Sequence, residues 1–545
     1  MTRVRRFLAG AVSVGLLTGM ATLPQVMSGV AHAAPAPTAG KLNNGLPPCE
    51  KYPDVKGKKP GKLLGYQELS VDPSQLTGAR MFRVLFTTSG LDERHVQASC
   101  GLVVMPEKGQ SNEILAWAHG TVGVHQSCMA SNNPGRFLSN GAIQFPGTAL
   151  PAGEPSNGIW QGLIDEGRMI TAPDYYSAAG RRDYKQQNYV AGIPEGAAVL
   201  DSVRTGIQLV KKVKHQEHRT WELGLWGASQ GGHAALWAGQ LAKRYLSETA
   251  VRHQPAIKQV GIVAAVPASS FIANDKTPRR LLGYHLGDLE MHQQAGPVLF
   301  SYVLDSWKKY GDSGKPGRHA LFPGYPRGVR PALSAVLSPE GKESAEEVAA
   351  LCTSDAVKLA AAIAKYLVDP AANPFFIPSI WGKPDSQGVY QGRMDRTCRS
   401  KNVSKGINKW CTWLSYNMPG PQGINPFSKL PRTADGSVAP VLITEGMDDT
   451  LVYCQNDEPT LPQSRACLAR QLYKSMATKK VCRDTSVRLD LYAKTNSSPA
   501  SHFTTMYQLA DNGRLGYRGS IMDRFLNKAF KHKVGTGCSE RVVNK

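Results

Sequence analysis

The pentapeptide Gly227-Ala228-Ser229-Gln230-Gly231 constrains this chain more than any other stretch. Before it runs Trp221-Glu222-Leu223-Gly224-Leu225-Trp226, short and apolar like a buried strand. After it comes Gly232-His233-Ala234-Ala235-Leu236-Trp237-Ala238, a small-residue start to a helix. A strand that turns this sharply into a helix strains the residue at the apex and presents its side chain at the sheet edge. Gly227 and Gly231 let neighbouring backbone pass where a Cβ would clash. So short a pattern also arises by chance in glycine-rich turns, but the strand before and the helix after argue for a nucleophile elbow at Ser229.

A serine hydroxyl needs a histidine to take its proton and a carboxylate to orient that histidine. On a strand–helix scaffold of this kind the partners follow the serine in the order acid, then histidine. Pro440-Val441-Leu442-Ile443-Thr444-Glu445-Gly446-Met447-Asp448-Asp449 reads as a late strand running into an acidic turn, which selects Asp449, with Asp448 as the alternative. Beyond Asp449 the chain holds two histidines, His502 and His532. His532 stands between Lys531 and Lys533, whose charges disfavour an imidazolium; His502 lies in a polar loop after the strand-like stretch 487–492. His502 is therefore the expected base. The developing oxyanion needs two N–H donors. One is the backbone N–H of Gln230, directly after the nucleophile; the other is expected from Thr121, in the His119-Gly120-Thr121 turn after the strand-like stretch 113–119. His119 itself reads as a packed strand-end side chain rather than a base or a metal ligand, and His119 with His125 lacks zinc-site spacing.

The surrounding pattern indicates an α/β fold. Residues 81–88 and 95–105 alternate apolar and polar, as an antiparallel lead-in does. Short apolar runs at 113–119, 169–173, 223–226, 260–266 and 440–444 suit a buried, mostly parallel sheet, with helical patterns between them at 192–213 and 230–245. From 276 to 432 the chain reads as helix and loop, with its clearest helix at 343–367, and sheet-like pattern resumes at Val441. The expected layout is a leader at 1–33, an extended basic arm at 34–75, a core at 76–270 and 433–535, a helical cap at 271–432 over the carboxyl edge of the sheet, and a tail at 536–545. Phe375, Phe376, Ile377, Ile380 and Trp381 are expected either in the core of that cap or along a tunnel, the former being favoured.

Arg3, Arg5 and Arg6, an apolar run from Phe7 to Leu23 and the small-residue site Ala31-His32-Ala33 have the form of an export signal cleaved near Ala33/Ala34. The twin arginines leave the general and the twin-arginine export routes both open. All ten cysteines fall after this leader and none forms a C-x-x-C pair, so an exported chain with disulfides is expected, with Cys398–Cys411 and Cys454–Cys467 as local pairings and Cys49 as a pin for the arm. No later segment is apolar for long enough to span a bilayer. The formal charge is +22, and loss of the three leader arginines leaves +19. The basic residues are scattered without a nucleic-acid motif, which implies a solvated basic surface with at most weak affinity for anionic polymers or surfaces.

Taken together, these residues resemble the secretory lipase family, the fungal lipase A-like group and its bacterial relatives within the α/β-hydrolases. The resemblance spans roughly 80–530 and rests on Trp117-Ala118-His119-Gly120-Thr121-Val122-Gly123, Ala172-Pro173-Asp174-Tyr175, Gly227-Ala228-Ser229-Gln230-Gly231-Gly232 and the pair Asp449 and His502. It implies Ser229 as nucleophile, His502 as base, Asp449 as orienting acid, a helical lid and an acyl tunnel beneath it, with neither metal nor organic cofactor. Tyr176-Ser177-Ala178-Ala179-Gly180 departs from the family's usual glycine-rich continuation after Asp174. The expected activity is that of a secreted carboxylic-ester hydrolase, lipase or esterase, on a lipid or small acyl ester. A feruloyl or acetyl polysaccharide esterase, a serine peptidase on the same fold and a non-catalytic binder of anionic polymers are the other readings.

Overall fold

The computed structural model describes most of the chain between residues 43 and 543; residues 1–42, 135–157, 176–186, 273–294, 309–331, 378–397, 456–465 and 506–519, with several shorter stretches, lie outside the described residues. The leader with its Ala33/Ala34 site, and Ile380 and Trp381, fall in those stretches.

In chain order the core begins with β1 (Leu63–Leu69), β2 (Ala79–Ser89), β3 (Val96–Pro106), β4 (Glu113–Ala118), α1 (Gly158–Asp165) and β5 (Met169–Pro173). It continues through α2 (Gly192–Lys214), β6 (Thr220–Ala228), α3 (Gln230–Glu248) and β7 (Ala256–Ala265). The insertion carries α4 (Ala295–Lys308), α5 (Pro339–Ala349), α6 (Ala356–Val368) and α7 (Lys405–Asn417). The core resumes with β8 (Val441–Gly446), the short strands β9 (Asp448–Asp449), β10 (Cys454–Gln455) and β11 (Ala466–Cys467), α8 (Leu468–Met476), α9 (Lys479–Asp484), β12 (Ser486–Tyr492), α10 (Ile521–Phe530) and β13 (Gly537–Val543).

Ten strands form one sheet in the order β1-β2-β3-β5-β4-β6-β7-β8-β12-β13. The pairings from β1 to β5 along that order are antiparallel, and all from β5 onward are parallel. Because side chains alternate across a strand, each strand feeds two cores. Phe82, Val84, Val103, Met105, Leu223 and Leu225 pack with α2, α3 and α8 on one face. Met81, Leu102, Val104, Trp117 and Trp226 pack with α1 and α10 on the other. The sheet is thus covered on both sides, which is what a parallel sheet requires, and the fold is that of the α/β-hydrolases. On the second face Trp117, Trp160 and Trp226 meet edge-on or tilted, with the Trp117 and Trp226 ring centroids 4.1 Å apart. That cluster braces the ends of β4 and β6 below the Ser229 turn.

The helices of the insertion share a hydrophobic cluster with Val124, Tyr189 and Val190, in which Tyr302, Trp307, Val348, Ile363, Phe375, Trp410 and Trp413 are buried together. Phe375 and Phe376 are buried in it and Ile377 packs against it. Three sequence expectations differ from the structure. The supposed arm contributes β1, hydrogen-bonded to β2, and the supposed tail contributes β13, the edge strand beside β12. The single helix expected at 343–367 is two helices, α5 and α6. The chain breaks between them where Cys352 bridges to Cys128 and its N–H is taken by the Asp355 carboxylate at 2.9 Å.

All ten cysteines are paired: Cys49–Cys100, Cys128–Cys352, Cys398–Cys411, Cys454–Cys467 and Cys482–Cys538. Both local pairings expected from sequence are present, and Cys49 fastens the segment before β1 to β3. No helix among the described residues is long and apolar enough to cross a membrane.

Candidate active site

Ser229 sits between β6 and α3 with φ 56° and ψ −118°, a conformation that L-residues with a Cβ rarely adopt. Such strain costs on the order of 1–3 kcal/mol and persists only where the surroundings hold it. Here the Ser229 N–H donates to the Ala265 carbonyl of β7 at 2.9 Å, and the Ser229 carbonyl accepts from the N–H groups of His233 and Ala268 at 3.1 Å each. The turn is also packed against backbone. A Cβ on Gly227 would lie 2.0 Å from the Gly231 carbonyl oxygen, and one on Gly231 would lie 1.8 Å from the Ala118 carbonyl oxygen. Only glycine fits at either position, and the start of α3 therefore abuts the end of β4. Ser229 itself is partly exposed at the carboxyl end of the sheet.

Asp449 and His502 meet at the same edge. The turn after β8 buries Asp449 completely, and its Oδ1 accepts from the N–H groups of Leu451 and Val452 at 2.7 and 2.9 Å. Its Oδ2 lies 2.6 Å from Nδ1 of His502, which is 3% exposed. A carboxylate only accepts, so Nδ1 is the protonated ring nitrogen of His502. The alternative acid, Asp448, bonds to Ala500 instead. Its Oδ2 accepts from the Ala500 N–H at 2.9 Å and its own N–H donates to the Ala500 carbonyl at 3.0 Å, which holds the loop that carries His502. The alternative histidine, His532, is exposed, with Nε2 2.8 Å from Glu222 Oε1. Glu222 is at the opposite end of β6 from Ser229, about 20 Å away at the rise of a strand. The link from the serine turn to β8 is direct: Ser229 bonds Ala265, and the next residue, Val266, donates to the Thr444 carbonyl at 2.8 Å.

Gln230 is the first residue of α3, so its N–H is among those with no acceptor inside the helix. Thr121 lies in the buried loop after β4, and its Oγ1 is 2.9 Å from the Tyr189 hydroxyl. The close contact of Gly231 with Ala118 brings these two segments side by side. His119 is buried, with Nδ1 2.7 Å from the Gly120 carbonyl and its ring 4.5 Å from that of Tyr175. Burial lowers its pKa from 6.5 to about 4, so it is a neutral packed ring. His125 caps a short 3-10 turn, its Nδ1 accepting from the Ser127 N–H at 3.3 Å.

Several charged residues around the site were given no role by sequence reasoning. Glu445, at the end of β8, is fully buried. Its Oε1 accepts from the Gly446 N–H at 3.0 Å, and its carboxyl lies within hydrogen-bonding reach of Asp449. Loss of water, and then the neighbouring Asp449 carboxylate, push its carboxyl well above the ordinary range. Asp174 is held by the Ser131 N–H at 3.0 Å and by the Ser131 hydroxyl, and burial raises it to about 6. Glu195 and His233 form a buried pair behind Gln230. A signal for that pair did exist. Glu195 is an acid in an otherwise small and apolar helix start, flanked by Gly192 and Gly196, both of which press on α3 at Trp237 and Ala238.

Comparison with known proteins bears out the family resemblance. A model of the secretory lipase family matches residues 158–268, from α1 to just past β7; this includes Ser229 but neither Asp449 nor His502. Over 192 residues, 35% of this chain, it is 24% identical to a secreted triacylglycerol lipase of Malassezia furfur, and the match takes in 37% of that relative's length. Among solved structures it is similar to Candida antarctica lipase A in its closed state, with a TM-score of 0.50 at 14% identity over 89% of this chain and 85% of that one. It is also similar to a mutant of the rice cell wall degrading esterase LipA from Xanthomonas oryzae, with a TM-score of 0.52 at 15% identity over 86% and 99%. At these identities the structural likeness is one of fold.

Proposed function

On the premise of an α/β-hydrolase fold with a secretory lipase match over its nucleophile segment, we propose that this chain is an exported carboxylic-ester hydrolase that works through an acyl-enzyme. The observation that carries the reading is the strained Ser229 turn at the same sheet edge as the hydrogen-bonded pair Asp449–His502. Ser229 Oγ attacks the ester carbonyl carbon while His502 takes the hydroxyl proton on Nε2, and Asp449 holds the ring through Nδ1. The carbonyl electron pair moves onto oxygen, which is met by the N–H groups of Gln230 and Thr121. Collapse restores the carbonyl and expels the alcohol, which receives its proton from His502. Water then repeats the sequence, releasing the acid and free Ser229. The matching of a secreted relative and five disulfides support export, with the leader cut near Ala33/Ala34.

The test is hydrolysis of p-nitrophenyl esters from acetate to palmitate by the mature protein beside Ser229→Ala. Turnover is expected to fall by about 10⁴-fold or more in the variant. Ester turnover that survives in Ser229→Ala would refute the mechanism. Activity that rises with chain length would assign a lipase, and activity confined to acetate and butyrate a short-acyl esterase.

A further inference from the structure

Besides Asp449–His502, the fold buries a second histidine–carboxylate pair, and it lies directly behind the nucleophile turn. Glu195, in the first turn of α2, and His233, in the first turn of α3, are both fully buried. His233 Nδ1 is 2.7 Å from Glu195 Oε2, and His233 Nε2 is 2.8 Å from the backbone carbonyl of Asn417, the last residue of α7 in the insertion. That carbonyl also accepts from Trp237 Nε1 at 3.0 Å, and the Asn417 side-chain oxygen accepts from the Gly192 N–H at 2.9 Å. The other Glu195 oxygen, Oε1, accepts from the Val190 N–H at 2.8 Å and from Gln230 Nε2 at 2.6 Å. The same Gln230 nitrogen donates to Gln187 Oε1 at 2.9 Å.

Counting hydrogens fixes what this cluster can do. A backbone carbonyl only accepts, so His233 Nε2 carries a hydrogen; one further proton lies between Nδ1 and Glu195 Oε2. Both ring nitrogens are thus committed, and His233 cannot serve as a base. Both hydrogens of the Gln230 amide are committed too, one to Glu195 and one to Gln187. Gln230 follows a residue held at φ 56°, and its N–H has no acceptor inside the helix. Rotation of the peptide plane between Ser229 and Gln230 would relieve the strain and turn that N–H away. The clamped side chain opposes that rotation.

We propose that Glu195 is a positioning residue for the oxyanion site: it grips the Gln230 side chain, and so holds the Gln230 N–H in direction, while His233 and Asn417 tie that grip to the helical insertion. The inference rests on the serine-ester reading above.

The experiment is kcat and KM for p-nitrophenyl butyrate, with thermal midpoints, in the full mature protein. Glu195→Ala and Gln230→Leu are each expected to lower kcat about tenfold to a hundredfold with KM changed less than about twofold. Glu195→Gln is expected to recover most of that loss, because its amide donates to His233 Nδ1 while its oxygen still accepts from Val190 and Gln230. If Glu195 acts through Gln230, the double variant Glu195→Ala/Gln230→Leu is no slower than the worse single variant. A purely structural role predicts losses that multiply. Should Glu195→Ala fail to fold, Gln230→Leu stands alone, because it leaves the Glu195–His233–Asn417 chain whole. Unchanged kcat in Gln230→Leu, or multiplying losses, overturns the inference while an inactive Ser229→Ala leaves the ester reading standing. A wild-type protein with neither ester turnover nor labelling of Ser229 by a fluorophosphonate overturns both.

Discussion

Gly231→Ala tests whether the proposed oxyanion site depends on the contact between β4 and α3. The added Cβ would stand 1.8 Å from the Ala118 carbonyl oxygen, 2.5 Å from the Ala118 carbonyl carbon and 2.7 Å from the His119 carbonyl oxygen. Close carbon–oxygen contacts in proteins lie at about 3.3 Å, so the two segments must separate by about 1.5 Å. All three neighbours are backbone, and no rotamer change relieves the clash. Overpacking of this kind costs about 1–3 kcal/mol, and a rigid partner favours the upper end. The catalytic effect should exceed the effect on stability. Gln230 is one residue from the substitution and Thr121 two residues beyond His119, so the two donors move apart by most of that separation. A misplacement of about 1 Å is worth about 10²-fold in rate. The assay is kcat for p-nitrophenyl butyrate together with the thermal midpoint, with Gly535→Ala as control, since a Cβ there meets nothing within 4 Å. Gly231→Ala is expected to lose about 10² in kcat and several degrees in midpoint, and Gly535→Ala neither. A Gly231→Ala protein with kcat within about threefold of wild type would show that the donors do not depend on this contact, and the argument for Thr121 would fall with it.

Two further predictions concern pH. Glu445 has a carboxyl raised in the folded state, so its contribution is fully present below the ordinary value of 4.5 and is lost as pH rises through the folded value. Glu445→Gln removes that loss, and its thermal midpoint relative to wild type is expected to climb as pH rises above the ordinary carboxyl value of 4.5; a constant difference would refute the buried-acid reading. His119 is shifted the other way, from 6.5 to about 4, so the stability it confers is present above 6.5 and is lost as pH falls toward 4. The full shift corresponds to about 3 kcal/mol. His119→Phe should flatten the midpoint profile across that window. The difference between the profiles isolates His119 from Asp174, whose carboxyl, raised to about 6, acts in the opposite direction. Parallel profiles would place the acid sensitivity elsewhere.

What the sequence made legible was local. A strand, a tight glycine-flanked turn and a helix lie within twenty residues, so the Ser229 turn could be read from neighbours alone. The acid turn and the histidine loop each follow a strand; the pattern of the turn favoured Asp449 over Asp448, and the lysines beside His532 favoured His502. What stayed hidden depended on partners far away in the chain. The strand β13 is mostly exposed and belongs to the sheet through β12, fifty-one residues earlier at Asp490 and Arg541. The break between α5 and α6 has its anchor at Cys128, 224 residues before Cys352. Glu195 and His233 are 38 residues apart, on two helices whose patterns are otherwise small and apolar. Each polar residue there was visible, but its burial and its partner came only from the packing of α2 on α3.

The two histidine–carboxylate pairs show how surroundings, not residue types, divide the work at this edge of the sheet. His233 has an acid on one nitrogen and a backbone carbonyl on the other, and neither partner leaves during a reaction. It can only be a strut. His502 is bonded to Asp449 through Nδ1, and in the proposed mechanism its Nε2 exchanges a proton with Ser229. The carboxyls divide in the same way. Three donors converge on Asp449, from Leu451, Val452 and His502. Glu445, at the end of β8, accepts from the Gly446 N–H on one oxygen, and burial holds it toward the neutral form. Two acids side by side cannot both be charged cheaply in a buried site, and the neighbouring Asp449 is, after burial, a cause of the raised Glu445 carboxyl. Supplying Glu445 with a donor would favour its charged form and lower its carboxyl. Substitution at these two acids should therefore be strongly coupled, whereas changes at Glu195 and Asp449, which have separate hydrogen-bond partners, should meet only through the transition state.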